Sequence, residues 1–154
     1  MNGDEFPVDN SPVVRFTILG EAASKANSRK LVTLGGRPAF IKSQKAREFE
    51  AAALLQIPAA AKVMLTGTVR ATIRMFYATE RPDLDESVVL DVLQAKTEGT
   101  GKNKKVIRRG VYWNDRQVRE KHIYWGLDRN NPRVEIIVEP IAWQQSSLAG
   151  IEAV

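Results

Sequence analysis

The sequence predicts a small α+β domain in which two helices pack on a mixed β-sheet of about four strands. Three observations predict it: the chain has 154 residues, 44% of them are hydrophobic, and stretches with strand and helix periodicity alternate along it. A chain of this length and apolar content can bury one core. The predicted order of elements is β-α-β-α-β-β, which favours helices on one face of the sheet.

Four stretches have the two-residue period of a half-buried strand. They are residues 13 to 19, 65 to 77, 118 to 125 and 133 to 140. In the first of them, Val14, Phe16 and Ile18 share one face, and the second has the strongest alternation. The turn signal "GLDRNNP" lies between the last two, so a C-terminal hairpin is expected to close the sheet.

Two helices are predicted between these strands. Ser43 can cap the first helix, which continues with apolar residues at helical spacing to about Gln56. The second helix is expected to begin at about Asp83 or Asp85 and to end at Gln94.

Two long segments are rich in glycine and cations and lack a sustained period. Residues 20 to 40 are expected to form a long loop that can hold an irregular hairpin around Gly35 and Gly36. Residues 95 to 110 carry six cations against the single acid Glu98 and are expected to form a mobile cationic loop. Long loops in compact domains are often functional.

The composition excludes several classes of protein. There is no cysteine and only one histidine, His122, so any metal must be held by oxygen ligands. No apolar run approaches the roughly 20 residues of a membrane span, and the first residues are acidic, so neither a membrane partner nor a signal peptide is expected. We expect a soluble, cytoplasmic domain at residues 13–140, between a disordered N-terminal segment, 1–12, and a C-terminal tail, 141–154.

The charge favours a polyanionic partner. Lys and Arg total 23 against 18 Asp and Glu, and the formal net charge is +5. The excess lies in the middle of the chain, much of it in the two loop-like segments, which is typical of a nucleic-acid-binding surface.

One acidic stretch stands out against this charge. The segment "ERPDLDESVVLDVLQ", residues 80 to 94, contains Asp83, Asp85, Glu86 and Asp91. A capping box in which Asp83 and Glu86 satisfy the first N–H groups of the second helix explains two of these acids. Asp91 lies inside the helix, where capping does not explain it, although a solvated face could hold it.

A further acid, Asp115, lies in the polar turn "YWNDRQV". Alone, Asn-Asp is an ordinary turn signal. If the sheet brings this turn beside the start of the second helix, Asp83, Asp85 and Asp115 converge, and a divalent cation is the simplest way to hold three carboxylates together. Mg²⁺ prefers oxygen ligands and leaves positions for water and phosphate oxygens. An acidic pocket among basic loops therefore predicts an enzyme that cuts nucleic acid.

At these two motifs the sequence resembles the RusA-type Holliday-junction resolvases. "RPDLDE" resembles the family's R-x-D-L-D-N, "WNDRQV" resembles its W-x-D-D-x-Q-V, and "VLDVLQ" resembles the helix after the first motif. The resemblance extends over roughly residues 14 to 140. It departs from the family where Glu86 replaces Asn, where Asn114 replaces the first Asp of the pair, and where the helix lacks a lysine whose role can pass to Lys96 or to the basic loop.

The resemblance implies a RusA-like fold and a Mg²⁺-dependent endodeoxyribonuclease, with Mn²⁺ as a substitute, that resolves four-way DNA junctions in recombination and repair. It makes Asp83, Asp85 and Asp115 the catalytic, metal-binding carboxylates, with Asp91 as a fourth ligand or a group behind the ligands. Nine cations are the expected phosphate contacts: Lys25, Arg29, Lys30, Lys96, Lys102, Lys104, Lys105, Arg108 and Arg109. Paired cuts in a nearly two-fold symmetric junction need two active sites, so a homodimer is expected, in a bacterial or phage-infected cell.

Two other interpretations stay open. The chain could be a nucleic-acid-binding module without catalysis, in which Asp83 caps a helix and Asp115 forms a turn, or a metal nuclease acting on flaps, forks or other branched DNA. His122 has no nearby nucleophile and is expected to be structural. Three large aromatic residues can serve the core, a dimer face or base stacking: Trp113, Tyr124 and Trp125.

Overall fold

The computed structural model describes residues 12–80 and 83–142. The strands are β1 (Val14–Leu19), β2 (Arg29–Leu34), β3 (Arg37–Lys42), β4 (Val69–Tyr77), β5 (Lys96–Glu98), β6 (Lys105–Arg108), β7 (Val118–Leu127) and β8 (Arg133–Pro140). The helices are α1 (Gln44–Gln56) and α2 (Glu86–Leu93), and 3-10 turns occupy Lys25–Asn27, Ala59–Ala61, Gly101–Asn103 and Asp115–Gln117. The predicted α+β class is confirmed. The predicted disordered segment and C-terminal tail lie almost entirely outside the described residues.

The main sheet contains four strands in the order β1, β8, β4, β7. It is mixed, because β4 runs parallel to β7 and antiparallel to β8, while β1 runs antiparallel to β8. The predicted C-terminal hairpin is wrong, since β4 lies between β7 and β8. The chain after β7 passes the end of β4, where the N–H of Asp128 donates to the carbonyl of Tyr77 at 2.9 Å.

The core lies between this sheet and the two helices. Alternate residues of β4 are buried, as the sequence predicted, and they pack in one cluster with apolar residues of β1, β8, α1 and α2. Ser43 caps α1 as predicted, since its hydroxyl accepts from the N–H of Ala46 at 3.1 Å. No helix in the part of the chain that the structure describes is long and apolar enough to cross a membrane.

Both segments that were expected to be loops contain hairpins. The pairing of β2 with β3 is regular, from Arg29 opposite Lys42 to Leu34 opposite Arg37. Gly35 and Gly36 connect them with φ values of +55° and +79°, as a two-residue turn with positive φ at both positions requires. β5 and β6 form a second, shorter hairpin within residues 95 to 110. Neither hairpin belongs to the main sheet, so neither has one fully buried face to give its sequence a strong alternation.

The predicted capping box at the start of α2 is wrong. The N-cap is Asp85, whose carboxylate accepts from the N–H of Ser87 at 3.2 Å and from its hydroxyl. Glu86 instead pairs with Lys121 of β7, at 3.3 Å between Oε1 and Nζ.

Candidate metal and nucleic-acid site

The centre of the candidate site is the polar stripe of α2, which comprises Asp85, Ser87, Asp91 and Gln94. Ser87, Asp91 and Gln94 follow each other at intervals of four and three residues, which places them on one face of the helix. The opposite side is held in the core by five buried apolar residues of α2. The requirement to bury these residues turns the polar stripe outward.

Asp91 is partly buried, with 38% of its side chain exposed. Burial raises the pKa of Asp91, and the negative charges of Asp115 and Glu50 raise it further, while the positive charge of Lys42 opposes them. Lys42 Nζ lies 3.7 Å from Asp91 Oδ2 but only 2.7 Å from Glu50 Oε2. Lys42 therefore compensates only part of the charge at Asp91.

Asp115 reaches this helix because the chain after β6 pairs with the end of α2. The N–H of Val111 donates to the carbonyl of Leu93 at 2.8 Å, and the N–H of Asp115 donates to Gln94 Oε1 at 2.8 Å. These bonds place the Asp115 turn at the C-terminal end of α2, near enough for the charge of Asp115 to act on Asp91.

The turn that carries Asp115 is itself fixed by a capping box. Asn114 Oδ1 accepts from the N–H of Arg116 at 2.8 Å, and Gln117 Oε1 accepts from the N–H of Asn114 at 2.9 Å. Gln117 Nε2 also donates to the carbonyl of Leu65 at 2.7 Å. Asn114, which replaces an acid of the family motif, therefore helps to hold Asp115 in place.

Tyr112 holds the same junction from inside the core. Its side chain is fully buried, and its hydroxyl donates to the carbonyl of Leu90 at 2.7 Å. Leu90 lies in the last turn of α2, so this bond ties the end of the helix to the chain before the Asp115 turn. Burial, with the charges of Asp115 and Asp91, raises the pKa of Tyr112 well above its usual range, so the hydroxyl keeps its proton.

An open pocket of about 250 Å³ borders the polar stripe at Asp91 and Gln94. The other side chains that line it are mostly polar or cationic: Lys96, Thr97, Lys104, Arg108, Trp113 and Asn114. Arg108 Nε is buried and has no hydrogen-bond partner among the residues that the structure describes. The guanidinium of Arg108 carries further N–H donors, so Arg108 could bind an anionic ligand in this pocket.

A second open pocket, of about 480 Å³, borders the other end of the stripe at Asp85 and Ser87. Lys25, Arg29 and Phe40 line its opposite side. The polar stripe thus has cations at both ends, contributed by the two hairpins and by the 3-10 turn Lys25–Asn27.

Asp83 and Asp85 have structural roles. Asp83 Oδ2 accepts from the N–H of Ala26 at 2.9 Å, and its carbonyl accepts from the N–H of Lys25 at 2.9 Å, which holds the 3-10 turn Lys25–Asn27. Within residues 12–80 and 83–142, no group of three or more acids or histidines could hold a metal ion, so the expected convergence of Asp83, Asp85 and Asp115 is not found there. Among the acids of these segments, Asp115 is the one whose charge acts on Asp91.

The cations expected to contact DNA fall into groups. Two line the pocket at the start of the stripe: Lys25 and Arg29. Three line the pocket at its end: Lys96, Lys104 and Arg108. Three more are exposed on the hairpins: Lys30, Lys102 and Lys105. Arg109 differs, because its guanidinium donates to the carbonyl of Lys62 at 3.3 and 3.4 Å.

Lys42 is a candidate functional residue that sequence reasoning missed. It ends β3, and its Nζ lies 3.7 Å from Asp91 Oδ2. The only sequence signal was its position just before the cap of α1. His122 pairs with Glu120 at 2.7 Å, in keeping with a structural role. Three aromatic residues are exposed and are not core residues: Trp113, Tyr124 and Trp125.

The chemistry of the donor set fits Mg²⁺. Mg²⁺ is usually bound by one or two carboxylates and completes its octahedron with water and phosphate oxygens. Asp91 and Asp115 could supply two carboxylates, and a cation beside Asp91 would offset the cost of burial that raises its pKa and the smaller effect of the Asp115 charge. The cationic pocket beside Asp91 can receive the phosphate.

No protein-family model matches this chain, and a search of curated proteins gives no match either. The fold and the site together define an α+β domain with an acidic helix face between cationic pockets.

Proposed function

We propose that this protein is a Mg²⁺-dependent endodeoxyribonuclease, able to use Mn²⁺, that resolves four-way DNA junctions by paired phosphodiester hydrolysis. The observation that carries the proposal is the pocket in which Asp91 lies with Lys104 and Arg108, beside the turn of Asp115. Carboxylates suit a metal ion, and the guanidinium of Arg108, which lines the pocket, suits a phosphate oxygen. A metal and a phosphate side by side are what phosphodiester hydrolysis requires.

The residues of the site divide the work. Asp91 and Asp115 would hold the metal, and Mg²⁺ bound there would activate a water for in-line attack and stabilise the leaving 3′ oxygen. Arg108 and Lys104 bind the phosphates of the strand to be cut. Lys42 limits the repulsion around Asp91 while the metal is exchanged.

The remaining cations supply affinity rather than sequence preference. Phosphate contacts by Lys and Arg release counterions, so binding should weaken steeply as the salt concentration rises. Because such contacts carry no base information, selectivity for a junction must come from the shape of the DNA.

The test is incubation of the purified protein with a labelled four-way junction, a fork and a linear duplex, with Mg²⁺ or EDTA. We expect paired cuts in the junction that need Mg²⁺, and loss of these cuts in Asp91→Asn and Asp115→Asn with DNA binding retained. Glu48→Gln, which changes an exposed acid of α1, is the matched control and should cut at the wild-type rate. Absence of cleavage of every branched substrate refutes the nuclease, and equal cleavage of all three refutes the junction preference.

Metal binding can be read without cleavage. A ligand that binds only the folded state stabilises it by about 2.7 kcal/mol at a concentration 100 times its Kd. Mg²⁺ should therefore raise the melting temperature of the wild type and of Glu48→Gln, but not that of Asp91→Asn combined with Asp115→Asn.

A second candidate is a nucleic-acid-binding module without catalysis. The observation in its favour is that Asp83 and Asp85, the acids of the first motif, are occupied by backbone N–H groups. In that case the protein binds DNA, Mg²⁺ does not change its melting temperature, and no substrate is cut.

Junction resolution also implies a two-fold dimer, because symmetric paired cuts need two active sites. Sedimentation of the protein alone and with a junction should then give two copies of the chain for each DNA. The same task places the protein with the DNA of a bacterial or phage-infected cell.

A further inference from the structure

The β2–β3 hairpin carries a pair of exposed apolar side chains. Leu31 and Phe40 lie directly opposite each other in the strand register, and they are 60% and 71% exposed. The hairpin is a separate two-stranded sheet, so this pair adds nothing to the core. Exposed apolar side chains that are grouped, and not scattered singly, commonly mark a binding surface.

The pair lies on the face of the hairpin that leads to the polar stripe. Residues 29 and 31 of β2 and their partners 42 and 40 of β3 point to the same side, because side chains alternate along a strand. Lys42 on this face contacts Glu50 and lies 3.7 Å from Asp91. The apolar pair and the candidate metal site therefore lie on the same surface of the protein.

Phe40 also lines the open pocket of about 480 Å³ with Lys25, Arg29, Asp85 and Ser87. Both cations are exposed, and the bonds from Asp83 to the turn Lys25–Asn27 fix the backbone of Lys25. The pocket thus combines an exposed aromatic ring with two exposed positive charges.

This combination fits a nucleotide that is not stacked in a duplex. Aromatic side chains stack on bases of any sequence, and nearby cations hold the backbone, in proteins that bind single-stranded nucleic acid. A base inside a duplex is already stacked and cannot reach Phe40, whereas a branch point can present an unpaired base. Lys25 and Arg29 are complementary in charge to a phosphate. An apolar protein partner would offer these two cations no negative charge.

We propose that Phe40, flanked by Leu31, stacks on an unpaired base at a DNA branch point while Lys25 and Arg29 hold the adjoining phosphate. The inference deepens the proposed function and rests on it for branched DNA as the ligand. It makes the β2–β3 hairpin the element that distinguishes branched from linear DNA. This role is separate from that of Asp91 and Asp115 in holding metal.

The experiment places 2-aminopurine at the branch point of a four-way junction and at the same sequence in a linear duplex, in EDTA so that nothing is cut. The wild-type protein should change the fluorescence of the junction and not that of the duplex. Phe40→Ala should lose this change and bind the junction about 5- to 150-fold more weakly, the range for one base-aromatic stack. Phe40→Trp should restore both.

Ile41→Ala is the matched control, since Ile41 lies on the opposite face of the same hairpin and is also exposed. It should respond as the wild type does. Because Phe40 is largely exposed, Phe40→Ala should melt at the wild-type temperature, which separates a lost contact from lost folding.

Each other outcome has one meaning. Wild-type fluorescence and affinity in Phe40→Ala overturn the inference, even if the wild type cuts junctions with Mg²⁺. Conversion of a wild-type dimer to monomers by Phe40→Ala, with unchanged fluorescence, also overturns it and assigns the pair to a self-interface. A Phe40-dependent fluorescence change in a wild type that cuts no branched DNA supports the stacking and refutes the proposed function.

Discussion

Tyr112→Phe tests whether one buried hydroxyl fixes the end of α2 against the turn that carries Asp115. The hydroxyl of Tyr112 donates to the carbonyl of Leu90 at 2.7 Å, and the side chain is fully buried. Phe keeps the ring and creates almost no cavity, so the change removes the hydrogen bond alone. Removing this one buried hydrogen bond should cost about 0.5–1.5 kcal/mol. For a domain of this size, that lowers the melting temperature by roughly 1–6 °C.

Tyr124→Phe is the matched control. Tyr124 is exposed on β7, so its hydroxyl can bond to water in both the folded and unfolded states, and a change within about 0.5 kcal/mol is expected. Urea unfolding of both variants with an unchanged slope gives the two free energies of unfolding directly. Equal losses in the two variants would refute the structural role of the Tyr112 hydroxyl.

Tyr112→Phe should also have a local effect at the end of α2. If the hydroxyl of Tyr112 holds the end of α2, its loss should speed amide exchange at Val111, whose N–H donates to Leu93, more than in β4. It should also reduce the rise in melting temperature that Mg²⁺ produces, because Asp115 is held less firmly beside the end of α2. Uniform acceleration of exchange across the domain would contradict this reasoning.

Three further predictions concern the supports of the site. In Gly110→Ala, the new Cβ would lie 2.5 Å from the backbone N of Ala95 and the carbonyl O of Leu93, so we expect a loss of about 1–3 kcal/mol, and an unchanged melting temperature would contradict the packing. Asp83→Ala removes the acceptor for the N–H of Ala26 and should cost about 0.5–2 kcal/mol of stability. Asp83→Asn keeps an acceptor and should be close to the wild type in stability. If both variants lose cleavage while their melting temperatures are unchanged, Asp83 is a metal ligand instead. At Asp128, the hydrogen bond from Arg133 lowers the carboxyl pKa, helped by the N–H groups of Asn131 and Asn130, so its stabilisation is complete above the unfolded pKa of about 3.9 and is lost as pH falls through the lower folded pKa. The wild type should therefore lose more stability than Asp128→Asn as pH falls below about 4. The same dependence of melting temperature on pH in both proteins would contradict this role of Asp128.

The parts of the fold that the sequence predicted are those in which one face is buried. β4 and α1 each have apolar residues at the period of their element, so the sequence pattern indicates which face is buried. The hairpins β2–β3 and β5–β6 lack that signal because neither has a fully buried face. The order of the last strands depends on β4, more than 40 residues earlier in the chain, and local turn signals between β7 and β8 cannot report it.

The candidate site was predictable only in its segments. Asp85 and Asp115 lie at opposite ends of α2, whereas the Asp115 turn was expected beside the start of this helix. Which acid does what depends on the N–H groups that the fold brings opposite each one. Asp83 meets Ala26, which is 57 residues away in sequence, and nothing in "RPDLDE" indicates that contact.

Asp91 and Asp115 differ from the other acids in their electrostatic surroundings. The negative end of the α2 dipole lies close to both, and the charge of Asp115 raises the pKa of Asp91 after burial has raised it. The charged form of Asp91 therefore costs stability at neutral pH, and this cost is relieved as pH falls below its raised pKa. Acids placed at such a cost are typical of sites that bind a ligand.

This difference makes a prediction about metal-free protein. In EDTA at neutral pH, Asp91→Asn should melt at or above the wild-type temperature, because the neutral amide has the same shape and neither the burial cost nor the repulsion. Asp85→Ala should melt below it, because the N-cap of α2 is lost, at about 0.5–2 kcal/mol. With Mg²⁺ the order of wild type and Asp91→Asn should reverse, since only the wild type gains from the cation. A destabilised Asp91→Asn in EDTA would show that Lys42 already compensates the charge, and Asp91 would then be a structural acid like Asp85.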